Sequence, residues 1–188
     1  MLKIAITPEN IDERNEALMV SALIANGWDR VHLRHPSASL SDMRRLIESI
    51  PRQMHPRLVV HDHFDLIGHY CLGGLHLNRR CPAAPKDYKG GLSRSCHSID
   101  EVMDCRAMDY VTLSPIFDSI SKSGYTAAYT HEELSRLTGA PTKVIALGGV
   151  NPERISFLRR YNFTGFAMLG ALPWGENVSE MTDFIKDF

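Results

Sequence analysis

Four stretches of this chain place residue types at spacings that chemistry can use. The run VIALGGVNPER (144–154) ends an apolar segment in Gly148 and Gly149, then supplies Asn151, a helix N-cap type, and Pro152, suited to the first helical position. Backbone N–H groups at such a turn can approach a phosphate closely, and Gly170 with Ala171 offers a second turn of the same kind after the last apolar run. The plainer alternative is a tight strand-to-helix turn that needs no ligand. The stretch 114–129 carries Asp118, Ser119, Ser121, Lys122 and Gly124, hydroxyls and an ammonium that suit a polyanion as a lid, or else an ordinary solvated serine-rich loop. HDHFD (61–65) alternates His61 and His63 with Asp62 and Asp65, a spacing that can place ligands for a divalent ion on one side of an extended segment. It also reads as a helix start with Asp65 in the first turn. His97, flanked by Ser95 and Ser98 that could orient its ring, suits a proton shuttle near neutral pH, or merely precedes a capping segment, Ser98-Ile99-Asp100-Glu101.

Whatever the chemistry, it is local. A net charge of −1, from 21 basic and 22 acidic residues, makes no long-range field for nucleic acid or an anionic bilayer, so neither is an expected partner. With 188 residues and 44% hydrophobic composition the chain can fill one ordinary core, so one domain spanning 1–188 is expected, with no surplus for a membrane. The opening MLKIAITPEN lacks the basic and long apolar regions of a signal peptide, which makes a cytoplasmic location the expectation. Cys71, Cys81, Cys96 and Cys105 form no CxxC pair and read as buried or incidental thiols.

The elements that must position these residues alternate along the chain. Short β-rich runs at 3–7, 30–34, 58–61, 74–77, 91–95, 110–114, 143–147 and 165–169 read as strands. Helical patterns fall at 12–26, 40–50, 99–107, 131–137, 152–161 and 178–188. Such alternation means parallel strands with right-handed crossovers, in an open doubly wound sheet or a closed barrel; eight units favour a (β/α)8 TIM barrel. The chain is short for one, and the 80–90 stretch with Pro82 and Pro85 predicts a shortened crossover after strand four. A barrel gathers reactive groups where strands end, and the ends here are polar: Thr7, Arg34-His35, His61-Asp62-His63, Asn78-Arg79-Arg80, Cys96-His97, Ser114, Gly148-Gly149 and Gly170-Ala171.

Taken in order, VHLR (31–34), LVVHDHFDL (58–66), GLHL (74–77), SRSCHS (93–98), DYVTLSPIFDSISKSG (109–124), ALGGV (146–150) and GFAMLGAL (165–172) resemble the thiamine phosphate synthase/TenI superfamily over nearly the whole chain. The resemblance implies that Arg34, Ser119, Ser121 and Lys122 fall at pyrophosphate-side positions and Gly148, Gly149 and Gly170 at a thiazole-phosphate turn, with His61 beside the substrate. In the synthases, aminomethylpyrimidine diphosphate ionises with magnesium and the thiazole phosphate nitrogen attacks the cation. Here the family's Gln is His32, its pyrophosphate lysine is Pro36, and its Asn is His61. The magnesium carboxylate is kept as Asp62, but the second falls on Arg80 or Cys81. An arginine where a dication needs a carboxylate reverses the local charge. The TenI branch keeps the barrel but only shifts a proton, and has RSVHS where this chain has RSCHS.

The expected function is therefore a TenI-type thiazole tautomerase, with His97 transferring the proton and no cofactor required. The rival is a thiamine phosphate synthase using magnesium through Asp62, with Arg79 or Arg80 replacing lost positive charge. A catalytically reduced barrel that binds a thiamine-pathway phosphate is a third reading, and a metal hydrolase built on His61 and His63 a last one. The family resemblance further implies a homodimer.

Overall fold

β-Branched and leucine-rich runs of three to five residues pair in register to build the sheet: β1 Leu2–Ile6, β2 Arg30–Leu33, β3 Leu58–Val60, β4 Gly74–Leu77, β5 Leu92–Cys96, β6 Tyr110–Leu113, β7 Lys143–Ala146 and β8 Gly165–Met168. All neighbours are parallel, and β8 returns to β1, closing an eight-stranded barrel. This computed structural model describes residues 1–12, 14–117 and 128–186. Every expected strand is present, each end within one residue of the sequence reading.

Alternation along each strand sorts side chains into two cores. Val31, Leu33, Leu58, Val60, Leu75, Val111 and Leu113 face outward and pack with Trp28, Met43, Ile47 and the other helix residues. Each such fully buried aliphatic side chain stabilises the fold by about 1.5–3 kcal/mol. The inward set is divided: Ile4, Ile6, Ile145 and Ala167 form an apolar cluster with Tyr110, while His32, His61, His76 and Ser93 are buried polar residues.

The helices start where capping residues dictate. Ser39 and Asp42 form a reciprocal capping box that opens α2 (Leu40–Ser49), whose Met43, Leu46 and Ile47 are buried at helical spacing. α1 (Glu16–Ala25) begins later than expected because Asp12 turns the preceding chain, accepting hydrogen bonds from Arg14 N and Asn15 Nδ2. Ser98 caps α3 (Ile99–Asp104) and a Thr130–Glu133 box opens α4 (His131–Ser135). The expected 152–161 helix splits into a 3-10 turn, Pro152–Arg154, and the single-turn α5 (Ile155–Leu158), and Asn177 caps α6 (Val178–Ile185).

The crossover after β4 contains no helix, as Pro82 and Pro85 foretold, and that from β3 to β4 has only a 3-10 helix, Phe64–Gly68. These two economies are how the barrel closes in so short a chain. Among the described residues, no helix is long and apolar enough to cross a membrane.

Candidate active site

At the C-terminal end of β5, His97 leaves the barrel just before the Ser98 cap of α3. Its Nδ1–H donates to the Ser114 carbonyl oxygen at 3.1 Å. A carbonyl only accepts, so in the neutral ring Nε2 is the nitrogen left to take a proton. The backbone is fixed as well: His97 N donates to Glu101 Oε2 at 2.7 Å and the Tyr129 hydroxyl donates to His97 O at 2.9 Å. The capping reading of this segment holds: Ser98 caps the helix and the His97 ring just before it is exposed. The serines expected to orient the ring do not. Ser95 points inward to His76 and Ser98 is engaged in the cap, so orientation comes from the far side, at Ser114.

Ser114 also links His97 to the glycine turn. The next residue, Pro115, lies against Gly148, where a Cβ would stand 2.7 Å from Pro115 Cα. Gly148 (φ +90°) and Gly149 (φ +63°) are both left-handed, and Asn151 Oδ1 accepts from Arg154 N with Pro152 at the first helical position. Arg154, which sequence reasoning passed over, donates from Nη1 to Gly149 O at 2.6 Å and lies over the Phe117 ring at 4.9 Å. Its position three residues after an N-cap at a strand end was the available signal. The Gly170–Ala171 turn is of a different kind: Gly170 is not left-handed and a Cβ there would meet nothing within 4 Å, so no close approach demands glycine.

The opposite side of the mouth is paired to itself. Arg80 forks onto Asp62, Nε to Oδ1 at 3.1 Å and Nη2 to Oδ2 at 3.0 Å. Asn78 positions that loop, donating to His61 O and accepting from Arg80 N and Cys81 N. Arg34 lies at the end of β2, its guanidinium 2.9 Å from Glu9 and its N–H donating to Thr7 Oγ1. Beneath it His35 Nε2 meets Glu16 Oε1 at 2.7 Å, a buried contact between a strand end and α1.

HDHFD does not form a ligand set. Alternation ends with β3: His63 is left-handed (φ 54°) and donates from Nε2 to Ala38 O at 2.8 Å, away from His61. His61 instead turns into the barrel. Its Nε2 is 2.9 Å from His32 Nδ1, its ring stacks on His76 at 4.2 Å, and His32 Nε2 is 2.6 Å from the Tyr110 hydroxyl. Burial, then repulsion among the rings, holds His32 and His61 well below the ordinary imidazole range, and burial takes His76 down to about 3. Burial likewise pushes the Tyr110 phenol up to about 12. The signal for this cluster was a histidine at the centre of two apolar strands, VHL and LHL. Ser119, Ser121 and Lys122 lie outside the described residues.

A cavity of about 370 Å³ opens at the other end of the barrel, lined by Asp29, Arg30, Asp109, Tyr110 and Lys143. Parallel barrels assemble their reactive loops at the C-terminal end of the strands, where His97 and the glycine turn sit.

Comparison with known proteins accounts for this layout. The family model described as thiamine monophosphate synthase (TMP-TENI) matches residues 4–172. The chain belongs to the thiamine monophosphate synthase family. A crystal structure described as thiamine phosphate pyrophosphorylase from Bacteroides thetaiotaomicron is 34% identical, with TM-score 0.86 over 99% of this chain and 94% of that one. A thiamine-phosphate synthase of Salinibacter ruber is 22% identical over 182 residues, covering 90% of this chain and 80% of its own length. A Clostridium botulinum thiamine-phosphate synthase is 23% identical over 178 residues, covering 89% of this chain and 84% of its own length.

Membership of the thiamine monophosphate synthase family raises magnesium, and the described residues do not fit it. Asp62 is the one carboxylate at the expected position, and both of its oxygens are held by a guanidinium whose charge repels a dication. No group of three or more carboxylate, imidazole or thiol ligands gathers around Asp62 among the described residues to offer octahedral coordination.

Proposed function

We propose that this family member is a thiazole tautomerase of thiamine biosynthesis, with His97 as the proton-transferring residue. The observation that carries the reading is the hydrogen bond from His97 Nδ1 to the Ser114 carbonyl, which leaves Nε2 without a partner among the described residues. Tautomerisation removes a proton from one ring position and returns it at another while a double bond shifts; nothing departs and no electrons are exchanged. A single imidazole nitrogen can serve both transfers, taking the proton from one position and returning it at the other. The backbone of Gly148 and Gly149 receives the thiazole phosphate, with the Arg154 guanidinium beside the turn supplying positive charge. Gly170 and Ala171 border the same phosphate, and Arg34 faces the heterocycle from the other side. Ser119, Ser121 and Lys122 complete the anion contacts on the family pattern.

The relatives are thiamine-phosphate synthases by name, which favours a second reading, a thiamine phosphate synthase that joins aminomethylpyrimidine diphosphate to thiazole phosphate. Arg80, released from Asp62, would then face the leaving diphosphate. One side-by-side assay separates the readings: thiazole carboxylate phosphate alone, then with pyrimidine diphosphate and magnesium, both followed by NMR. Tautomer conversion without metal, lost in His97→Ala, supports the tautomerase. Magnesium-dependent thiamine phosphate replaces it with the synthase, and tight binding without turnover of either substrate reduces the barrel to a ligand-binding protein.

A further inference from the structure

We propose that His32, His61 and His76 form a three-histidine site inside the barrel for a borderline divalent transition cation, zinc first. The three residues come from adjacent strands β2, β3 and β4, His61 at the β3 end, and each offers a ring nitrogen within 4.8 Å of the other two. They are 0%, 5% and 1% exposed, so the set is enclosed rather than a chance surface cluster.

The donor set selects the metal class. Three imidazoles with no carboxylate suit zinc, cobalt, nickel or copper, whereas magnesium and calcium need oxygen ligands. The site is therefore distinct in chemistry and in place from the Asp62 position at the mouth.

The surroundings are those of a supported metal site. His76 is held on both nitrogens by hydroxyls, Ser93 Oγ at 2.8 Å and Ser95 Oγ at 2.9 Å, and His32 by Tyr110 at 2.6 Å. Hydroxyls can rotate between donating and accepting, so His32 and His76 can each give up one nitrogen to a cation while the other stays oriented. Thr112, in register with Ser95 on the neighbouring strand, adds a further buried hydroxyl to the barrel, its Oγ1 without a hydrogen-bond partner among the described residues. Zinc–nitrogen bonds of about 2.0–2.1 Å place tetrahedral ligands about 3.4 Å apart. The 2.9 Å His32–His61 contact must open and the wider separations close, ring movements of about an ångström.

The proposal is independent of proton transfer at His97, and its test uses no activity. The purified full-length chain is stripped by a chelator, then loaded with zinc or cobalt(II) alone and passed through gel filtration. The expected result is one metal per chain, with cobalt giving the intense visible bands of a four-coordinate site. In the unsubstituted protein, imidazole nitrogen NMR signals of His32, His61 and His76 shift on zinc addition while that of His97 does not. His76→Ala abolishes retention, Ser93→Ala weakens affinity about 10–100-fold, and His97→Ala retains the metal. Failure to hold stoichiometric zinc or cobalt, shifts confined to His97 or His63, or a folded His76→Ala that keeps the metal would each overturn the proposal; the NMR arm decides even if that variant does not fold.

Discussion

The two sides of the barrel spend their polar residues differently. Around β2 to β4 they are turned on one another: Asp62 on Arg80, His61 on His32, His76 on two serines. Around β5 to β7 an imidazole is anchored, among the described residues, by one nitrogen only, beside a glycine turn whose left-handed backbone leaves no room for a side chain. Self-pairing favours a rigid interior; an anchored group with a free end favours a reaction. On the proposed function the self-paired side is structural, and the open side carries the phosphate and the proton.

The largest expected effect breaks the open side. If the proposed function is right, His97→Ala should lower tautomer turnover by about 10²–10⁴-fold with little change in thermal stability, because the ring is exposed and proton transfer by a positioned group is worth that much. Steady-state NMR turnover with a parallel melting curve checks both halves of the statement.

Acid tests the paired side. His76 in the metal-free folded protein protonates near 3 rather than near 6.5, so between those values the unfolded chain binds a proton that the folded chain refuses. Its contribution is complete above about pH 6.5 and is lost as pH falls towards 3. His32 and His61 act in the same direction. Urea unfolding at pH 8, 6, 5 and 4 should show the midpoint falling with each step, and His76→Gln should flatten that slope.

Gly148→Ala sets a Cβ at 2.7 Å from backbone and in a left-handed conformation, and should cost about 1–2 kcal/mol from the backbone alone. On the open side it should also raise KM for the phosphorylated substrate more than it lowers kcat. Gly170→Ala, with open space around it, should do neither. Smallest is Asp62→Asn: Arg80 is half exposed, so the lost ion pair should cost less than about 1 kcal/mol, and tautomer turnover should hold. A large fall in turnover would show that the paired side takes part in the chemistry after all.

Much of this was legible in one dimension. Strand limits follow from short β-rich runs bounded by turn residues, and Ser98, Asn151 with Pro152, and Gly148 with Gly149 declared their caps and turn by type. The limits of the helices were less legible, since Asp12 and the 3-10 turn at Pro152 are decided by local hydrogen bonds that periodicity does not register. The partner of His97 was misjudged for a related reason: its sequence neighbours Ser95 and Ser98 lie on the wrong faces, and the acceptor comes from the next strand.

By itself the sequence determined the eight-fold alternation, the closed parallel barrel, the family and the position of His97 at a strand end, because these depend on residue type and local spacing. Only the tertiary structure decided that Arg80 closes on Asp62, that Ser114 selects the proton-bearing nitrogen of His97, and that His32, His61 and His76 meet inside the barrel. Those contacts join residues 15 to 44 positions apart, and barrel closure with its strand register, not spacing along the chain, brings them within reach of one another.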